Sequence, residues 1–129
     1  MSFDEGLYAW VQEALEPMGG VTMRKMMGGA TLYLDGTVFA ILDRDELWLK
    51  ADAESDAIWD SEGCEKFAVT FKDGKVDVMN YRRAPQDVYD DPEAMRRWAA
   101  LAVQAGLRGA AKKRPRSSSS RRMSGPQAA

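Results

Sequence analysis

The sequence predicts an α+β fold, in which an antiparallel β-sheet of about five to six strands is flanked by an N-terminal and a C-terminal helix. Three observations predict this class. Apolar residues recur at helical spacing near both ends of the chain, short runs rich in β-branched and aromatic residues fill the middle, and polar turns separate those runs. With 129 residues and 45% hydrophobic content, the chain is long enough to form one domain with a real core.

The first element is a helix that ends between Pro17 and Gly20. Ser2 and Glu5 have the spacing of a capping box, in which two side chains satisfy free backbone N–H groups at the helix start. The residues expected on its buried side are Leu7, Trp10, Val11, Ala14, Leu15 and Met18. This spacing predicts an amphipathic helix with one buried stripe.

Strands follow the first helix. They are expected at residues 30–34, 38–42, 47–51, 67–71 and 76–81. Asp35-Gly36 and Asp73-Gly74 are typical of tight hairpins, because these residue types tolerate a positive φ. Neighbouring strands are therefore expected to run antiparallel.

Two more helices are predicted after the third strand. A short one runs from Asp52 to about Glu62, and a longer one begins with Asp91 as N-cap and Pro92 at the first helical position. The longer helix is expected to bury Met95, Trp98, Leu101, Ala102 and Ala105 and to expose Arg96 and Arg97. Its pattern makes Trp98 the expected core anchor.

A short segment before the first predicted strand places basic residues among methionines and a glycine pair. A phosphate-binding loop needs glycines that lead into a helix, whereas Gly28 and Gly29 lead into a strand, so a turn or bulge is favoured over anion binding. Met23, Met26 and Met27 could ligate a soft metal. Core packing is favoured for them, because the chain has no histidine and only one cysteine.

The residue types that catalysis needs are poorly represented. Histidine, the commonest general base and metal ligand, is absent. Cys64 lies between Glu62 and Glu65, whose negative charges are expected to raise the pKa of the thiol and keep it unreactive. Two pairs of acids are expected to be turn and cap residues, namely Asp43 with Asp45 and Asp90 with Asp91. The sequence predicts no enzyme, no cofactor and no metal site.

Several short motifs, in a fixed order along the chain, are shared with a known family. They are Arg24, Met26-Met27-Gly28-Gly29, Asp35-Gly36 before Phe39-Ala40, LWLKAD at 47–52, Phe67, MNYRRAP at 79–85, and Trp98 with Ala99 and Ala102. Together they resemble the TfoX N-terminal domain family over about residues 5–105. The resemblance implies a compact α+β domain of natural-competence regulators, usually joined to a second, C-terminal domain that is expected to be missing here. It implies no catalytic residues.

The charge distribution divides the chain into an acidic body and a basic tail. Residues 1–107 carry 11 basic and 20 acidic side chains, a net charge of −9, whereas residues 108–129 carry no acid. The basic residues of the tail are Arg108, Lys112, Lys113, Arg114, Arg116, Arg121 and Arg122. The tail has almost nothing to bury and is predicted to be disordered. It either only solubilises the protein or contacts nucleic acid or an acidic partner.

A candidate contact face combines basic and aromatic residues at strand positions of the acidic body. Its members are Arg24, Lys50, Tyr81, Arg82 and Arg83. These side chains are expected to gather on one exposed face of the sheet and to contact a protein or a nucleic acid. The alternative is that they form surface ion pairs with nearby acids, which contribute little individually.

The sequence accordingly predicts a non-enzymatic, TfoX-type module that binds a partner protein in bacterial gene regulation. Two alternatives remain, a weak, sequence-tolerant nucleic-acid binder that uses the basic tail and a small carboxylate-dependent enzyme. A cytoplasmic location without membrane contact is expected, because no apolar run approaches the ~20 residues of a membrane span and the N-terminus lacks signal-peptide features.

Overall fold

The structure is a computed structural model that describes residues 4–26 and 28–113. One six-stranded antiparallel sheet is combined with an N-terminal and a C-terminal helix, which confirms the predicted α+β class. The helices are α1 (Glu5–Leu15), α2 (Asp56–Ser61) and α3 (Pro92–Lys113), with short 3-10 helices at Glu16–Met18 and Gln86–Tyr89. The strands are β1 (Val21–Met26), β2 (Gly29–Leu34), β3 (Thr37–Asp43), β4 (Glu46–Lys50), β5 (Lys66–Thr70) and β6 (Val76–Arg83).

The strands are ordered β1-β2-β3-β4-β6-β5, and each neighbouring pair is antiparallel. The first four form a meander, in which the β2–β3 turn uses Asp35 and Gly36 with φ angles of 48° and 86°, as the sequence predicts. The chain then passes through α2 to β5, and β6 returns to lie between β4 and β5. This order leaves β1 and β5 at the two edges of the sheet.

The hydrophobic core lies between one face of the sheet and the helices α1 and α3. Phe39 and Leu49 of the sheet and Leu15 of α1 are among its largest fully buried side chains. α3 approaches β3 so closely that a Cβ atom at Gly106 would collide with the carbonyl oxygen of Val38. A glycine at this position therefore permits the contact between α3 and the sheet.

α3 begins and buries Trp98 as the sequence predicts, but the prediction that Arg96 is exposed is wrong, because Arg96 is half-buried and donates a hydrogen bond to the carbonyl oxygen of Ala14 at 3.0 Å. The Asp91 carboxylate accepts a hydrogen bond from the N–H group of Glu93 at 3.0 Å, which caps the helix. Trp98 is 9% exposed, and its ring centroid lies 5.2 Å from that of Trp59 on α2. Trp98 therefore is a core residue that joins the two helices.

Two predicted helix starts are wrong. Asp4, and not Ser2, is the N-cap of α1, because its Oδ1 accepts a hydrogen bond from the N–H group of Leu7 at 3.1 Å. Ser2 lies outside the described residues. α2 is shorter than predicted because Asp52 and Ser55 form a turn before it, in which Asp52 Oδ1 accepts bonds from the N–H and hydroxyl groups of Ser55 at 3.1 and 3.0 Å.

β1 is a strand that the sequence did not predict. Val21 is buried and Met23 is half-buried, but the other residues of β1 are exposed. An edge strand packs on one side only and pairs with one neighbour, so its sequence carries a weak apolar signal.

α3 continues past the predicted domain boundary at residue 107. Residues 108–113 are helical, so the prediction of disorder is wrong for this stretch. The side chain of Lys113 and the remaining cations of the predicted tail lie outside the described part of the chain. Those cations are Arg114, Arg116, Arg121 and Arg122.

Candidate interaction face of the sheet

The face of the sheet opposite α1 and α3 carries a second, smaller cluster of side chains. In an antiparallel sheet, paired residues point to the same face and successive residues to opposite faces. The register aligns Arg24, Thr31, Ile41, Trp48 and Arg83 in one row across the sheet. We call the surface formed by Arg24, Ile41, Trp48, Lys50, Phe67, Tyr81 and Arg83 the open face.

Aromatic rings and cations lie together on the open face. The Trp48 ring packs edge-on against Phe67, with the ring centroids 4.8 Å apart. Cζ of Arg83 lies 4.6 Å from the centroid of the Trp48 ring, and Nζ of Lys50 lies 5.0 Å from that of the Tyr81 ring. Both contacts have the geometry of cation–π interactions. Trp48 and Tyr81 are largely buried beneath these two cations, so the face presents charged groups above an aromatic layer.

Arg83 is also held by two acids. It donates hydrogen bonds to Glu46 and to Oε1 of Glu65, the latter at 3.0 and 3.2 Å. Desolvation opposes the charge, but hydrogen bonds and charges of these carboxylates outweigh it and raise the pKa of Arg83. Arg24 differs, because it is exposed and forms no ion pair or hydrogen bond within residues 4–26 and 28–113. The predicted surface pairing is thus present at Arg83 and, in the described part of the chain, absent at Arg24.

Arg82 does not belong to the open face, contrary to the sequence prediction. It pairs with Leu49, a residue of the main core, so its side chain lies on the helix side of the sheet, where it is 2% exposed. Its guanidinium donates hydrogen bonds to Asp60 (2.8 Å), Asp56 (3.1 Å) and the carbonyl oxygen of Cys64 (2.8 Å). Strand alternation explains the correction, since adjacent residues cannot share a face. Arg82 joins α2 to the sheet.

The thiol of Cys64 and the phenol of Tyr81 both resist ionisation. Burial raises the pKa of Cys64, and the charge of Glu62 raises it further, while the charge of Arg82 acts in the opposite direction. The expected upward shift is therefore confirmed, with burial as its main cause. Burial also raises the pKa of Tyr81. Both groups remain protonated at neutral pH, which is unfavourable for a nucleophile.

A shallow apolar pocket of about 270 Å³ opens at the end of the open face where β1 turns into β2. Its lining residues are Met26, Gly28, Gly29, Ile41, Asp43, Phe67, Val69 and Met79. Met26 is 42% exposed there, so the prediction of core packing is wrong for this residue. Met23 packs against the core as predicted, and Met27 lies outside the described residues.

The glycine pair between β1 and β2 is explained by its backbone. Gly28 has a φ of 82°, and a Cβ atom at Gly29 would collide with the carbonyl oxygen of Leu42 on β3. Gly28 permits the tight turn, and Gly29 permits the close approach of β2 to β3. The predicted turn is confirmed.

The first cation of the predicted tail is engaged with the body. Nε and Nη2 of Arg108 donate hydrogen bonds to the two carboxylate oxygens of Asp52 at 2.6 and 2.9 Å, and Nε lies 2.8 Å from Glu54 Oε2. The hydrogen bonds from Arg108 lower the pKa of Asp52 to about 2, although burial acts against this shift. Lys112, one turn later, is exposed. Arg108 is therefore a structural residue of α3.

Ile41, Trp48 and Phe67 are residues of the open face that the sequence did not identify. In the run Leu47-Trp48-Leu49, both faces of the strand are apolar, so alternation alone did not show which side is open. The spacing of Trp48 and Lys50 could have identified Trp48, because residues two apart in a strand share a face and Lys50 was already predicted to lie on the contact face.

Among the helices of the described residues, none has the length and apolar content that a bilayer crossing requires. The same residues contain no group of three or more cysteine, aspartate or glutamate side chains arranged to hold a metal ion.

The fold and its motifs correspond to a known domain family. The model of the TfoX N-terminal domain matches residues 13–106. The match runs from within α1 to within α3 and includes every strand of the sheet. No curated protein is significantly similar to the chain. The chain belongs to the TfoX N-terminal domain family.

Proposed function

We propose that this chain is a non-enzymatic TfoX-type module that binds a partner protein in bacterial gene regulation and acts in the cytoplasm. The observation that carries the proposal is the open face, where Trp48, Tyr81 and Arg83 lie together on the side of the sheet opposite α1 and α3. Membership of the family supports the class of module.

The composition of the open face suits protein contact. Tryptophan, tyrosine and arginine are enriched among the residues that dominate the binding energy of protein interfaces. The cations of Arg83 and Lys50 stand over the rings of Trp48 and Tyr81, so an approaching partner meets charge first and aromatic surface second. Charge of this kind guides encounter and orientation more than it raises affinity.

The test is capture from a nuclease-treated bacterial extract by the immobilised full chain and two charge-reversal variants. Arg24→Glu changes an exposed cation of the open face, whereas Lys25→Glu makes the same change at the next residue, which points to the opposite face. We expect Arg24→Glu to lose the captured protein and Lys25→Glu to retain it. Equal capture by both variants, or no specific capture by the original chain, would contradict the proposal.

The nuclease step separates this proposal from nucleic-acid binding through the tail. Binding that disappears with nuclease would favour the tail, although Arg108 already satisfies Asp52 and contributes less to phosphate contact than a free cation. A metabolite that copurifies with the chain would favour the carboxylate-dependent enzyme instead.

A further inference from the structure

β5 forms an edge of the sheet that other elements leave open. No strand of the described residues lies beyond it, and no side chain among them bonds to its main chain. The opposite edge is partly capped, because the carbonyl oxygen of Val21 in β1 accepts hydrogen bonds from Gln12 Nε2 at 3.2 Å and the Tyr8 hydroxyl at 3.5 Å. Free backbone groups at an open edge can pair with a further strand.

The hairpin between β5 and β6 shows which backbone groups point outward. Beside its turn, the N–H group of Phe71 donates to the carbonyl oxygen of Lys75 at 2.8 Å. Hydrogen-bonded and non-bonded pairs alternate along an antiparallel ladder, so Val69 bonds inward to β6. The N–H and C=O groups of Ala68 and Thr70 therefore point outward, where an added strand could bond to them.

The same hairpin exposes apolar side chains next to this edge. Val76 and Val78 of β6 pair with Thr70 and Ala68 and are 61% and 57% exposed. Because Ala68 and Thr70 are small, side chains of an added strand can reach over them to the two valines. Phe71, directly after β5, is also 52% exposed. Grouped apolar exposure of this kind is typical of a contact surface.

The charges beside β5 favour a different protein over a second copy of this chain as the strand that binds there. Lys66 begins β5 and Lys72 lies just beyond it, and neither forms an ion pair within the described residues. If two copies paired antiparallel around Val69, Lys66 of one copy would lie opposite Lys72 of the other. If they paired around Ala68, the two lysines would be diagonal neighbours. Like charges oppose that pairing, whereas acidic side chains on an added strand would face both lysines favourably.

We propose that β5 is a docking edge for an extended acidic and apolar segment of a partner protein, which adds as a further strand of the sheet. This inference rests on the proposed function, since it assigns the chemistry of the partner's bound segment. Ala68 and Thr70 supply the main-chain hydrogen bonds, the exposed valines of β6 supply apolar contact, and Lys66 and Lys72 select acidic side chains.

The first test uses the full chain and two short capped peptides of the pattern X-Thr-Val-Thr-Val-Thr-X, in which X is glutamate in one peptide and lysine in the other, so that the X residues and the valines lie on one face of the added strand. Amide hydrogen exchange is measured residue by residue with each peptide. We expect the glutamate peptide to bind about tenfold more tightly, because opposite charges stabilise cross-strand pairs and like charges destabilise them. It should slow exchange at Ala68 and Thr70 but not in β1. Equal affinity for the two peptides, or protection confined to other strands, would overturn the proposal.

Two pairs of variants then locate the contact. Ala68→Pro removes an outward N–H group without touching the ladder to β6, and Ala68→Ser is the matched control that keeps this group. We expect the proline variant to bind the glutamate peptide about tenfold more weakly and the serine variant to bind it normally. Lys66→Glu should reverse the preference between the peptides, whereas Lys25→Glu on β1 should not. If the proline variant fails to fold, Lys66→Glu and Lys25→Glu still test whether the peptide binds at β5.

Two further outcomes would overturn the proposal while leaving the proposed function intact. In the first, sedimentation shows that the chain alone is a dimer which Ala68→Pro dissociates, so that β5 serves self-association. Alternatively, Arg24→Glu could lose the protein captured from extract while Ala68→Pro and Lys66→Glu keep it. In that case the open face binds the partner without strand addition at β5.

Discussion

Arg82 and Arg83 are consecutive residues of β6, yet their guanidinium groups lie on opposite faces of the sheet. The Arg82 group is enclosed on the helix side, where it bonds to Asp56 and Asp60 of α2. The Arg83 group lies over the Trp48 ring on the open face. The same side-chain type therefore joins α2 to the sheet at one position and forms ion pairs on the open face at the next.

Loss of Arg82 should destabilise the fold. Arg82→Met leaves the buried carbonyl oxygen of Cys64 without its donor, so we expect the free energy of unfolding to fall by about 1–3 kcal/mol. Arg24→Met makes the same change at an exposed site and should alter stability by less than about 0.5 kcal/mol. Urea denaturation measures both, and equal midpoints would refute the structural role of Arg82.

Trp98 should be one of the most costly residues to truncate. Its ring is almost fully buried against Trp59, so Trp98→Ala is expected to lose about 3–5 kcal/mol of unfolding free energy. Leu107→Ala, on the exposed side of the same helix, is the control and should change it by less than about 0.5 kcal/mol. Chemical denaturation followed by circular dichroism compares them, and an unchanged midpoint for Trp98→Ala would place the ring outside the core.

The pair between Asp52 and Arg108 should stabilise the fold in a pH-dependent way. The pKa of Asp52 is lowered to about 2 in the folded chain, below the ~3.9 of an unfolded aspartate. Its contribution is therefore fully present above about pH 4 and is lost as the pH falls towards 2. Urea midpoints of the original chain and Asp52→Asn should differ at neutral pH and converge in acid. A difference that stays constant with pH would argue against this pair.

Truncation should locate the end of the folded domain. A chain ending at Lys113 keeps all of α3 and the contact of Arg108 with Asp52, so its melting temperature should match that of the full chain. A chain ending at Leu107 loses both and should melt at a lower temperature. Differential scanning calorimetry of the two chains decides this, and identical melting temperatures would restore the boundary at residue 107.

Gly29 should resist substitution although its φ is ordinary. In Gly29→Ala, the added methyl group meets the Leu42 carbonyl oxygen, and relieving that overlap should cost about 1–3 kcal/mol. Gly20→Ala is the matched control, because its Cβ atom would make only ordinary contact with Asp35 at 3.7 Å. Thermal melts of both variants measure the difference. Similar stability for the two would show that β2 can move away from β3.

The strongly patterned elements could be predicted from the sequence, and the half-solvated ones could not. The stripe that contains Trp98 repeats over several turns of α3, so its burial was clear. β1 is exposed at four of its six positions and gains its order from pairing with β2, a tertiary contact that local sequence does not encode. The end of α3 was misplaced because Arg108 is stabilised by Asp52, a distant residue in sequence.

The candidate site was predicted only in part, for a related reason. Residue type alone grouped Tyr81, Arg82 and Arg83, whereas the two-residue period of a strand separates the middle one from the others. The pairing of Trp48 with Arg83 depends on β6 lying beside β4, and that strand order follows from packing of the whole sheet. The spacing of residues along the sequence does not indicate this strand order.

The position of β6 between β4 and β5 has a consequence for biosynthesis. As the chain leaves the ribosome, the β1–β4 meander emerges first and can form from contacts that are local in sequence. β4 cannot pair with β6, its second neighbour, until α2, β5 and β6 have also been translated. During that interval the nascent chain presents the apolar edge of β4 to the cytosol, so slow translation through this stretch should increase its dependence on chaperones.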